Sequence, residues 1–166
     1  MELGIQNQVA LITGGGSGLG RQAALSLARE GVHVAILGRT MTTLNKTVEE
    51  LRALGVRACG EAVDISQIEK LSETHASVVR TLGPIDILVN NVGGTRSKGD
   101  ICETTLEQFR ATFDLNLFAA FQLIKLVLPH MRTRRWGRII NISSIWGREF
   151  GGNISYMTSK AAVIAA

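Results

Sequence analysis

The stretch Val9-Ala-Leu-Ile-Thr13-Gly14-Gly15-Gly16-Ser17-Gly18-Leu19-Gly20 decides the fold. The apolar run Val9 to Ile12 reads as a buried strand. Beyond Gly20, Arg21 to Arg29 reads as a helix, apolar at Ala24, Leu27 and Ala28 and stopped by Gly31. Strand, glycine turn and helix in that order make a dinucleotide site: glycines permit tight backbone angles and close approach of a ligand, and the helix start offers free N–H groups to a pyrophosphate. The spacing Gly14-x3-Gly18-x-Gly20 departs from the common G-x-G-x-x-G, so the inference rests on the position of the turn directly after the first strand.

The alternation continues along the chain. Strands are expected at Val9 to Thr13, His33 to Leu37, Arg57 to Val63, Ile85 to Asn90 and Arg138 to Ile142, with helices in the gaps, including Gln67 to Leu82 and Leu106 to Met131. The strands are nearly continuously apolar, as expected when both sheet faces are covered, and right-handed crossovers then give an α/β fold with a doubly wound parallel sheet. With 166 residues, 45% of them hydrophobic, the chain can bury one substantial core, and residues 1–166 read as a single dinucleotide-binding domain. No repeat or low-complexity segment interrupts it.

Several function classes are set aside by composition. No apolar run approaches the ~20 residues of a membrane span, and Met1 to Gln8 lacks a basic start followed by an apolar core, so the reading is cytoplasmic with no membrane partner. Cys59 and Cys102 make neither a close pair nor a metal spacing. His33, His75 and His130 lie far apart, and no metal site is expected. The net charge of +4 has one concentration, Arg132, Arg134, Arg135 and Arg138, where cations suit the negative end of a long helix. An acidic partner or acidic carrier of substrate is the second reading of that cluster. Nucleic acid is not expected, because the basic residues do not interleave with aromatics.

Chemistry enters with Ser155-Tyr156-Met-Thr-Ser-Lys160. Four-residue spacing stacks Tyr156 and Lys160 on one helical face, and a cation beside a phenol favours its ionised form, so the pair can exchange a proton with a carbonyl or alcohol. By itself the spacing also fits a surface pair. Taken together, Thr13-Gly14-x3-Gly18-x-Gly20, Asp64 after the third strand, Asn90-Asn91-Val92-Gly93 after the fourth, Asn116 in the long helix, Ser143-Ser144 after the fifth and Tyr156-x3-Lys160 resemble the short-chain dehydrogenase/reductase family, the 3-oxoacyl-carrier-protein reductase-like members among them. The motifs occur in the family's order over essentially the whole chain. One departure is Val92, which stands where the family places alanine.

The resemblance implies hydride transfer between a nicotinamide cofactor and a ketone or secondary alcohol, possibly a carrier-bound 3-oxoacyl group. In that scheme Tyr156 is the acid/base, Lys160 also bonds the nicotinamide ribose, and a serine holds the substrate oxygen. Asn116 anchors a water chain; its alternative is a satisfied buried polar residue that kinks its helix. Neighbouring strand residues face opposite ways, so only one serine can meet the substrate: the family's usual spacing of thirteen residues before the tyrosine points to Ser143, whereas aligning the run Gly137 to Ser144 and the following Gly147 with the family, with a loop one residue shorter before Tyr156, points to Ser144, which is favoured. The cofactor would lie on Gly14, Ser17, Gly18, Leu19, Gly20, Arg39, Asp64, Ile65, Asn91 and Gly93. Gly38 stands where a carboxylate would hold the ribose of NAD, and Arg39 follows with a guanidinium suited to a phosphate, so NADP(H) is expected ahead of NAD(H); the alternative is that Arg39 stacks on adenine or faces water. Asp64 would receive the adenine amino group, or else cap the following helix.

Ala166 lies six residues after Lys160, within the helix that carries the pair. Family members continue further, so the resemblance implies a Rossmann-type sheet of five strands in the order 3-2-1-4-5, incomplete at the C-terminus, with the fifth strand a bare edge. Two functions stay open, an NADP-dependent oxidoreductase and a nucleotide-binding module without turnover. The apolar positions Leu117, Phe118, Phe121, Ile124 and Leu128 crowd the long helix beyond the needs of one sheet face, which points to a homodimer or homotetramer.

Overall fold

The structure, a computed structural model, describes residues 3–97 and 99–166. Strands β1 (Val9–Thr13), β2 (His33–Gly38), β3 (Ala58–Ala62), β4 (Ile87–Asn90) and β5 (Arg138–Asn141) form one parallel sheet in the order β3-β2-β1-β4-β5. The helices are α1 (Gly18–Arg29), α2 (Met41–Ala53), α3 (Leu71–Leu82), α4 (Leu106–Phe113), α5 (Ala119–Arg134) and α6 (Ile154–Ala165). The expected doubly wound, Rossmann-type arrangement is present with the expected strand order.

Two cores follow from the two-residue period of the strands. Leu11, Leu37 and Leu88 point to one face, where they meet Leu71 and Val78 of α3 and Leu123 and Val127 of α5. Ala10, Ile12, Val34, Ile36 and Val89 point to the other, against Ala24 and Ala28 of α1 and Leu44, Val48 and Leu51 of α2. Every residue of β1 and β4 is buried, as the continuous apolar runs require. The edge strands differ from that expectation: β3 carries Gly60 and Glu61, and β5 alternates exposed and half-buried residues, because no strand pairs with its outer side.

The stretch expected as one helix from Leu106 is three pieces. A π-helical turn, Asp114–Phe118, separates α4 from α5, and the helical run continues to Arg134. A wider turn changes the helix phase, which lets Leu115 and Asn116 both lie buried. The whole run of 29 residues is apolar and long enough to cross a membrane by length and composition, although Glu107, Arg110, Asp114 and Lys125 interrupt it in sequence. Leu115, Ala119, Leu123, Val127 and Met131, spaced by four, place its apolar stripe in the sheet core. Phe118 and Phe121 remain exposed. The helix expected from Gln67 opens instead as a 3-10 turn, Ile68–Lys70, ahead of α3.

The arginine concentration has a partner inside the chain. Asp86, buried just before β4, accepts a hydrogen bond from the Val9 amide at 3.0 Å and pairs with Arg134 at 2.9 Å; the His130 ring lies 3.3 Å away. One carboxylate therefore joins the start of β1, the start of β4 and the last turn of α5. Arg138 stacks over Trp136 at 4.9 Å, while Arg135 ends α5 in the left-handed conformation. Removing the carboxylate leaves the buried Val9 amide without its acceptor, so Asp86→Ala is expected to lower unfolding free energy by about 1 to 3 kcal/mol. A denaturant titration checks this, and a midpoint equal to that of the parent chain would refute it.

Candidate active site

The glycine turn is tied to β2 and β4 at their carboxyl ends. Gly14 sits at φ +70°, and its amide donates to the Leu37 carbonyl at 2.7 Å. A Cβ on Gly20 would strike the Gly14 carbonyl oxygen and lie 2.6 Å from Asn91 Nδ2, so this crossing admits glycine alone. Asn91 Nδ2 donates to the Thr13 carbonyl at 2.9 Å, and the Thr13 hydroxyl accepts from the amides of Asn91 and Val92 at 2.9 and 3.0 Å. Ser17 begins α1 in an extended conformation, and its hydroxyl caps no amide among the described residues. Gly18 follows at φ +53°, and Leu19 is exposed. The start of α1 is thus available to an anion.

A cleft of about 260 Å³ lies beside this turn, lined by Gly14, Ser17, Arg39, Asp64 and Ile65 among others. Arg39 is exposed, and Gly38 before it has Leu44 Cδ2 only 3.1 Å from where a Cβ would stand. Asp64 Oδ1 accepts from the amide and hydroxyl of Ser66 at 3.0 and 2.7 Å. The alternative role expected for it, a helix cap, is not found: the bond stays two residues on, as an Asx turn, and the helix begins later. Desolvation pushes the Asp64 carboxyl up, but the two Ser66 bonds and the charges of Arg96 and Arg39 outweigh it and hold the group below its ordinary value. Arg96, whose guanidinium stands 3.7 Å from Asp64 Oδ2, lines the same cleft and was not legible as a site residue from sequence.

Helix α6 brings Tyr156 and Lys160 together as their spacing requires, with the ammonium 5.9 Å from the centre of the phenol ring. Lys160 is 2% exposed, and its Nζ donates to the Ile142 carbonyl at 2.7 Å. No carboxylate reaches it among the described residues, and burial lowers its ionisation from the usual 10.5. A Cβ on Gly93 would lie 2.6 Å from Lys160 Nζ, so a larger residue there would press on the end of the lysine side chain. The two serines, which follow β5, meet different partners. Ser143 Oγ donates to the Lys160 carbonyl at 2.8 Å, whereas Ser144 Oγ accepts only a 3.3 Å bond from the Trp146 amide at the start of a 3-10 turn, Ile145–Gly147.

Asn116 is engaged on both sides of its amide. Oδ1 accepts from the Gly94 amide at 2.9 Å, and Nδ2 donates to the Gly94 carbonyl at 2.9 Å and to Ser159 Oγ at 2.7 Å. The side chain is thus satisfied within the protein, at the π turn of its helix. Ser159 in turn donates to the Tyr156 carbonyl at 2.9 Å. Asn153, which caps α6, is a second site residue missed in the sequence, although an asparagine just ahead of a helical stretch is a cap signal.

The sequence profile described as short chain dehydrogenase matches residues 8–166. A subunit of (2S)-[(R)-hydroxy(phenyl)methyl]succinyl-CoA dehydrogenase from Thauera aromatica is 36% identical over 162 residues, covering 98% of this chain and 65% of that protein. Among solved structures, L-sorbose reductase from Gluconobacter frateurii, complexed with NADPH and L-sorbose, superposes with a TM-score of 0.93 at 34% identity, over 99% of this chain and 63% of that one. NAD+-bound xylitol dehydrogenase gives 0.89 at 34% identity, over 97% and 62%. The chain therefore spans less than two thirds of the length of these relatives.

A buried cation without a counter-ion costs stability. The folded-state value of Lys160 lies below the unfolded one, so the deficit is fully present at pH values below the folded value and disappears as pH rises from it toward 10.5. Lys160→Met should therefore be more stable than the parent at pH 7, with the gap closing at alkaline pH. Unfolding titrations at pH 7 and pH 10 test both parts; a variant less stable than the parent at pH 7 would contradict them.

Proposed function

The chain belongs to the short-chain dehydrogenase family, and from that premise we propose that it is an NADP-dependent oxidoreductase acting on a ketone or secondary alcohol. The observation that carries the proposal is the buried Lys160 ammonium stacked beside Tyr156, on a helix that meets the glycine turn through Gly93. The donor set fits a dinucleotide: a glycine crossing that a Cβ would fill, a helix start open to pyrophosphate, and a cleft with Gly38 where a carboxylate would favour NAD and Arg39 next to it.

When bound, the cofactor supplies or accepts the hydride. Gly14, Ser17, Gly18, Leu19 and Gly20 would hold its pyrophosphate side, with Arg39 for the extra phosphate and Asp64 and Ile65 for the adenine. Asn91 and Gly93 would hold the nicotinamide half, and Lys160 would bond its ribose. The Tyr156 hydroxyl gives a proton to the carbonyl oxygen in reduction and takes one from the alcohol in oxidation, while Ser144 holds that oxygen. Ser144 suits this role because Ser143 is committed to the Lys160 carbonyl. Asn116, with both amide hydrogens engaged, contributes by fixing Gly94 and Ser159 beside Gly93 and Lys160.

The substrate class is a small carbonyl or alcohol, with a carrier-bound 3-oxoacyl group within it, in a cytoplasmic setting. The exposed Phe118 and Phe121 suit burial against a second copy of the chain as a homodimer or homotetramer. A nucleotide-binding module without turnover is the second reading, favoured by Ile145 and Phe150, 69% and 91% exposed next to the catalytic helix. NADPH oxidation with a panel of ketones separates the two: binding without consumption supports the module.

Cofactor preference is tested by fluorescence titration. NADPH should bind more tightly than NADH, and Arg39→Ala should erase most of the difference, a loss of about 1.5 to 3 kcal/mol for a charged phosphate contact. Equal affinities in the parent protein would remove the NADP assignment. For the acid, Tyr156→Phe in the full chain should bind NADPH as the parent does and lose nearly all turnover, since it deletes one hydroxyl and leaves the ring to pack. A variant that keeps most of its activity would put the proton donor elsewhere.

A further inference from the structure

The turn before the catalytic helix holds a web of buried hydroxyls that neither the cofactor cleft nor the proton chemistry uses. Its centre is the side-chain oxygen of Asn153. Oδ1 stands 3.3 Å from the Tyr156 amide, 2.7 Å from Ser155 Oγ, 3.0 Å from Ser97 Oγ and 3.1 Å from Thr95 Oγ1. Ser97 and Ser155 lie 2.7 Å apart, and Ser155 Oγ reaches Thr112 Oγ1 of α4 at 3.2 Å, which also accepts the Arg96 amide at 3.0 Å. Ser97, Ser155 and Thr112 are all buried.

Hydrogen counting shows why Asn153 matters. Each hydroxyl brings one hydrogen, and that of Thr112 goes to the Gln108 carbonyl at 2.9 Å. Three hydrogens remain, those of Ser97, Ser155 and Thr95, to be shared among these oxygens, and Asn153 Oδ1 is the one side-chain oxygen of the web that only accepts. Without it, buried hydroxyls lose the acceptor that orders the network, a costly condition in a low-dielectric interior. The same oxygen receives the amide of Tyr156 itself. It therefore fixes the first turn of α6 against the segment that follows Gly93 and Gly94, the loop shared with Lys160 and Asn116.

We propose that Asn153 is a positioning residue for Tyr156: one acceptor oxygen caps the catalytic helix and ties it to the Thr95–Ser97 loop, holding the tyrosine hydroxyl in register with the cofactor side of the site. This rests on the acid/base reading of Tyr156. An aspartate keeps the acceptor and an alanine does not, which makes the pair of variants diagnostic.

In the full chain, Asn153→Ala should lower kcat tenfold or more, leave the NADPH dissociation constant within about twofold, and accelerate amide exchange in the first turn of α6 in the cofactor-free protein. Asn153→Asp should restore kcat to within about threefold of the parent. Two results overturn the proposal: an alanine variant that loses thermal stability but keeps kcat, which makes Asn153 a plain helix cap, and an aspartate variant as slow as the alanine one. Should the alanine variant fail to fold, Ser97→Ala removes one tie to the loop while leaving the bond to the Tyr156 amide; it should still slow kcat at least threefold with cofactor affinity unchanged, and a parental kcat refutes the proposal. The premise fails separately. If Tyr156→Phe keeps turnover, both readings fall; if it is inactive while Asn153→Ala is fully active, only the role of Asn153 falls.

Discussion

The closeness with which Gly14, Gly20 and Asn91 cross governs the carboxyl edge of the sheet. Only the missing Cβ of Gly20 lets the Asn91 amide reach back to the Thr13 carbonyl, and that bond sets the end of β4 beside the end of β1. From this crossing the chain runs to Val92 and Gly93, and Gly93 in turn leaves just enough room for Lys160. A steric constraint at one glycine is thereby passed, contact by contact, to α6. The hydrogen bonds contribute individually little, but each removes a direction in which the loop could drift.

Much of this was legible from residues alone. The central strands announce themselves because β1 and β4 are buried on both faces and carry uninterrupted apolar runs, and the glycine turn follows β1 where a dinucleotide fold requires it. The pairing of Tyr156 with Lys160 follows from helical period. Less legible was whatever depends on tertiary contact. The π turn at Asp114–Phe118 arises where Asn116 finds the Gly94 backbone and Ser159, groups remote in sequence, so no local period could reveal it. Asp86 looks like an ordinary residue at the foot of a strand until Val9 and Arg134 arrive beside it from elsewhere in the chain. Arg96 enters the cleft only because its loop folds over toward Asp64.

Ser143 and Ser144 illustrate how far strand alternation reaches. Both lie beyond the end of β5, so alternation has no strict hold on them, and which one meets α6 depends on where the helix lands: Ser143 Oγ bonds the Lys160 carbonyl, and Ser144 Oγ meets the Trp146 amide. The electrostatics divide in a similar way. Asp64 sits among cations that favour its charge, whereas Lys160 is a cation enclosed without an anion, so one end of the site is settled at rest and the other is held under electrostatic tension.

The π turn also divides the long helix between two neighbours. Ahead of it, α4 packs on α6; beyond it, α5 packs on α3 and β4 in the sheet core, with Asn116 at the junction. One helical run is therefore shared between the sheet core and the helix that carries Tyr156 and Lys160, with its change of phase at the boundary between them.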